Sequence, residues 1–161
     1  MRFSLALLAV LLLMGGATVA KAAGKSVSRD EVLKAIDVFK KEPVTPDGFA
    51  AASTIKSFAE HSDTVHVSIS KAVIPWMKDS DASDADTRKI LLAAYLAGTV
   101  EYQLKGGKPG DDVYEGWEQV LATYAQLLHI NSAAKIPEVE DLRKKSADGK
   151  LRGYAAEVQE K

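Results

Sequence analysis

Ile90-Leu91-Leu92-Ala93-Ala94-Tyr95-Leu96-Ala97-Gly98-Thr99-Val100 runs for eleven residues without a charge. A segment that is apolar around its whole circumference is buried on every side, which makes this the central helix of an all-α protein. Ala94 and Gly98 stand one turn apart, and side chains that small let a neighbouring helix come close. Gly106-Gly107-Lys108-Pro109-Gly110 ends the helix. Asp111-Asp112 then places negative charge where a new helix begins, the end its dipole favours. Val113, Trp117, Val120, Leu121, Tyr124 and Leu128 follow at spacings of three and four, an amphipathic partner for the central helix that reaches Ile130.

Upstream, Ser28-Arg29-Asp30-Glu31 fits a capping box. Val32, Leu33, Ile36 and Phe39 form one stripe behind it, stopped by Pro43. Thr45-Pro46 opens a second helix, with cap and first-position proline in order. Its expected inner stripe is Phe49, Ala52, Ile55 or Lys56, and Ala59, with Phe58 at the side. Downstream, Pro137 starts a charged helix carrying Val139 and Leu142. Gly149 interrupts it, and Leu151, Ala155 and Val158 mark a last short helix. The expectation is a single compact antiparallel bundle of five to six helices.

Val65-His66-Val67-Ser68-Ile69-Ser70 departs from this pattern, alternating apolar and polar with β-branched residues at every inward position. No other segment offers it a partner strand. The preferred reading is one short extended connector near 64–70 pressed onto the helices. The alternative is an open edge that pairs with another chain, a homodimer through 65–70.

The first residues read as an address. Met1-Arg2, an uncharged run from Leu5 to Val19 and the small-residue triplet Ala20-Lys21-Ala22 have the layout of a cleavable secretory signal peptide spanning 1–22. Residues 23–161 are then the helical domain, with 23–27 flexible, and the protein works outside the inner membrane, secreted or periplasmic. Cleavage removes Arg2 and Lys21 from 21 basic residues, leaving 19 against 22 acidic ones. That balance points away from nucleic acid as a partner. The chain has no cysteine, which excludes disulfides, thiolate metal sites and an acylated lipobox. No later segment is apolar enough to span a membrane.

Few side chains suggest chemistry. Glu101 follows the uncharged run, so burial should raise its pKa and suit it to act as the general acid of a glycan hydrolase, with Glu115 or Glu118 as the second carboxylate. His61 and His66 are the candidate metal ligands, although their spacing of five does not place them on one helical face. The acidic run Asp79–Asp86 fails the calcium-loop pattern, having Asp84 where glycine belongs and Ile90 where glutamate belongs. It reads better as the capped, acidic start of the central helix. No GxSxG elbow is present, and Gly106-Gly107-Lys108 lacks the rest of a phosphate loop. Trp76, after Pro75, and Tyr114, off its helix's apolar stripe, are the candidates for an interaction surface. The leading expectation is a non-catalytic binding module with a protein or peptide partner in the envelope and no cofactor. The alternatives are a cell-envelope glycan hydrolase using Glu101 and a metal-binding protein using the histidines.

Overall fold

A computed structural model describes residues 26–77, 85–108 and 111–160. The signal-peptide reading of 1–22 and most of the acidic run 79–86 lie outside these. Among the described residues there are six α-helices and no strand. The helices are α1 (Arg29–Lys41), α2 (Pro46–His61), α3 (Ala85–Leu104), α4 (Asp112–Ile130), α5 (Pro137–Ala147) and α6 (Leu151–Gln159), with a short 3₁₀ turn at Pro75–Met77.

Local sequence explains the helix boundaries. Ser28 accepts a hydrogen bond from the Glu31 N–H while Glu31 reaches back to the Ser28 N–H, completing the capping box of α1. Thr45 caps α2 through the Gly48 N–H, with Pro46 in the first turn. Gly149, at φ 69°, makes the left-handed turn that separates α5 from α6. Val27, expected in a flexible lead-in, is partly buried against the core.

α3 is the axis of the bundle, and residues 94–100 are buried without interruption. It packs most extensively on α4, and α1 and α2 pair with each other before resting on it. The α3–α4 crossing is built on two facing glycines. A Cβ at Gly98 would stand 2.6 Å from the Glu115 carbonyl oxygen, and one at Gly116 would stand 2.5 Å from the Tyr95 ring. Only hydrogen in place of a side chain lets the two backbones come this near. The small-residue reading of Gly98 is met, and Gly116 supplies the complementary half.

The buried face of α2 differs from expectation. Gly48, Ala51, Ile55 and Phe58 turn inward, while Phe49 is 50% exposed. The face is rotated by one residue, about 100° around the helix. α2 carries alanines around much of its circumference, so the spacing of apolar residues fits more than one face. Close approach decides between them. Gly48 lies against the Glu42–Pro43 backbone, where a Cβ would meet the Glu42 carbonyl oxygen at 1.9 Å.

Candidate functional site

The segment from Val65 to Ser70 is extended and pairs with no strand among the described residues. Val65 is buried and Val67 packs partly against the core, so the alternation seen in the sequence presses this connector onto the bundle. Its backbone is held by side chains of α3. Gln103 accepts from the His66 N–H at 2.9 Å through Oε1 and donates to the His66 carbonyl at 2.7 Å through Nε2. One amide thereby satisfies both groups of a residue, as a neighbouring strand would. Tyr95 donates from its hydroxyl to the Ser68 carbonyl at 3.0 Å. Burial pushes the Tyr95 phenol up, so it keeps the proton that this bond uses.

In an extended chain the N–H and C=O groups of successive residues point to opposite sides. With His66 and Ser68 turned toward α3, Val67 and Ile69 turn theirs away from it. Neither has a backbone hydrogen bond to another described residue. The Ile69 side chain is 59% exposed and, with Ser70, Lys71, Ile74 and Met77, lines a shallow groove of about 310 Å³. An outward backbone edge and an apolar groove thus lie side by side. Chemically this arrangement can add an extended strand and seat one apolar side chain next to it.

The polar support beneath the segment continues into α4 and α6. Gln103 Nε2 lies 3.4 Å from Asp112 Oδ2, and Gln159 Nε2 donates to Asp112 Oδ1 at 2.6 Å. Asp112 is buried, and its carbonyl accepts from the Thr99 hydroxyl. Sequence reasoning missed the role of Gln103, which depends on bringing together residues 37 positions apart.

Glu101 sits in a separate cleft of about 300 Å³ that is also lined by Lys40, Tyr102, Lys105, Glu115 and Glu118. The structure therefore does bring together the three carboxylates considered for glycan cleavage. The expected raised pKa is corrected. Burial pushes the Glu101 carboxyl up, but hydrogen bonds and charge from Lys105, at 2.6 Å, and from Lys40 outweigh it and hold the group below its ordinary value. A general acid must carry a proton at working pH, and a carboxylate clasped by two ammonium groups does not. Glu115 in turn faces Arg152 at 3.5 Å.

Trp76 is corrected as a surface candidate, because its side chain is fully buried. It meets Tyr95 edge to face, with ring centroids 6.3 Å apart, and Arg88 donates to its carbonyl. The connector around it is short, but the indole turns inward to fill the space beside α3. Tyr114 is half-buried with the Arg152 guanidinium 3.9 Å above its ring, so α6 covers that face. His61 is exposed and bonds the Ser57 carbonyl through Nδ1, while the imidazole of His66 stands at the surface. Among the described residues no three histidine or carboxylate side chains are grouped to hold a metal ion. No helix among them is long and apolar enough to cross a membrane. Compared with protein-family models, with curated proteins and with solved structures, the chain matches none.

Proposed function

We propose that this chain is an exported, non-catalytic binding module that engages a protein or peptide partner in the cell envelope through its extended segment. The observation that carries this reading is that the backbone of Val67 and Ile69 makes no hydrogen bond to another described residue, beside the groove of Ile69, Ile74 and Met77. A surface of this kind recognises extended polypeptide, the backbone supplying hydrogen bonds and the groove supplying selectivity. The near-neutral charge agrees with a polypeptide partner better than with a polyanion. The leader-like residues 1–22 support export, with the mature chain beginning at Ala23.

The test is site-specific photo-crosslinking in the native compartment. A photoreactive residue replacing Ile69 is expected to give a discrete adduct. The same residue replacing Phe49, exposed on α2, is expected to give none. Equal labelling from both positions, or none from either, overturns the reading. Intact mass of the protein recovered from outside the inner membrane checks the cleavage point.

A further inference from the structure

We propose that the polypeptide the extended segment receives is a second copy of this chain, paired antiparallel about a two-fold axis at Val67. This rests on the binding-surface reading above and names its partner. A two-fold interface presents the same patch twice, so the segment must be complementary to its own reverse. Centred on Val67, each residue faces the one an equal distance away on the other side. Val65 then opposes Ile69 of the second copy, His66 opposes Ser68, and Thr64 opposes Ser70. At the flanks, Asp63 opposes Lys71, so each end of the ribbon joins opposite charges.

Other registers lose this match. Centring on His66 sets Asp63 against Ile69, and centring on Ser68 sets Lys71 against Val65. The backbone agrees with the Val67 register. Val67 and Ile69 carry the outward groups, and their pairing with Val67 and Val65 of the second copy completes up to about six hydrogen bonds.

Within one chain Asp63 and Lys71 cannot meet. The connector 65–70 lies between them and spans about 20 Å. Both are exposed, and neither forms an ion pair with another described residue. The match therefore has meaning only between chains. The paired segment is short, which makes the dimer a weak one, formed at micromolar or higher concentration.

The purified protein is followed by sedimentation velocity from micromolar to near-millimolar concentration. Concentration-dependent dimerisation is expected. K71D faces Asp63 with a like charge at both ends and should weaken association about tenfold. The swapped variant D63K/K71D should restore it. Circular dichroism of each variant checks that the helices remain.

The register has its own readout, since the chain has no native cysteine. An equimolar mixture of H66C and S68C proteins, tagged to differ in size, should form the mixed disulfide faster than either protein forms its own. A monomer at every concentration, a dimer indifferent to K71D, or homodisulfides formed as fast as the mixed one overturns self-pairing. An Ile69 adduct with a different protein, alongside a monomeric chain, overturns self-pairing while leaving the binding-surface reading in place.

Discussion

Replacing Gly98 by alanine tests the central packing claim, because its sign is opposite to what helix propensity alone gives. In an open helix interior, glycine to alanine stabilises by about 1 kcal/mol. At Gly98 the new Cβ would sit 2.6 Å from the Glu115 carbonyl oxygen, closer than real Cβ contacts allow. That oxygen belongs to the α4 backbone, so relief requires moving α4 as a body away from Tyr95, Thr99 and the buried residues between the helices. Overpacking of this kind costs typically ~1–3 kcal/mol, and a backbone obstacle argues for the upper end. Against a propensity gain of about 1, the net is a loss of about 2 kcal/mol. For a domain of this size that corresponds to roughly 4–8 °C in melting temperature.

Gly153 in α6 provides the control. A Cβ there meets nothing within 4 Å, so Gly153→Ala should stabilise by about 0.5–1 kcal/mol. Urea unfolding followed by circular dichroism, at unchanged m-value, measures both. A Gly98→Ala protein as stable as the parent would refute the close crossing and the reasoning built on it.

Glu101 predicts a pH dependence. Its folded pKa is depressed, so the stabilisation is present above the unfolded carboxylate value near ~4.3 and is lost as pH falls through the folded value. Glu101→Gln should therefore lower stability at neutral pH and flatten its fall in acid; parallel urea-midpoint profiles for parent and variant between acid and neutral pH would exclude this. Trp117 donates from Nε1 to the buried Val73 carbonyl at 2.7 Å, so Trp117→Phe should cost about 2–3 kcal/mol by orphaning the acceptor and removing ring volume, measured by thermal melting. Phe58→Ala should cost about 3–5 kcal/mol, while Phe49→Ala stays within about 0.5; comparable losses would return the buried face of α2 to the Phe49 stripe.

The helices were legible where one signal dominated. The uncharged run at 90–100 allowed a single placement, and the Ser28–Glu31 and Thr45-Pro46 caps are local chemistry that completes itself within a few residues. α2 was misread in its facing because alanine is nearly silent about which side is buried, and the deciding contact, Gly48 on Glu42, is steric and tertiary. Trp76 was misread because a tryptophan after proline in a short connector carries no sign of which way it turns. The extended segment was visible as alternation. The side chains that hold it, Gln103 and Tyr95, lie on another element, and no spacing rule links them to it. Glu101 was recognised as unusual from its position, but Lys105, one turn further along α3, and Lys40, 61 residues away, together hold its carboxyl down, so its chemistry came out with the opposite sign.

The run of amides and carboxylate from Gln159 through Asp112 to Gln103 gives the end of the chain a hold over its middle. Asp112 draws a short hydrogen bond from Gln159 and a longer one from Gln103, while Gln103 grips His66 from both sides. Fraying the last turn of α6 would remove the donor that anchors the Asp112 carboxylate. Asp112 would then lean on the second N–H of the Gln103 amide, whose first serves the His66 carbonyl. The outcome is a tug on the extended segment transmitted entirely through polar side chains, with the helical core left standing. The hydrogen-bonded chain from Gln159 to His66 is thus a route by which a cut or fusion at the C-terminus would reach a surface far away along the chain.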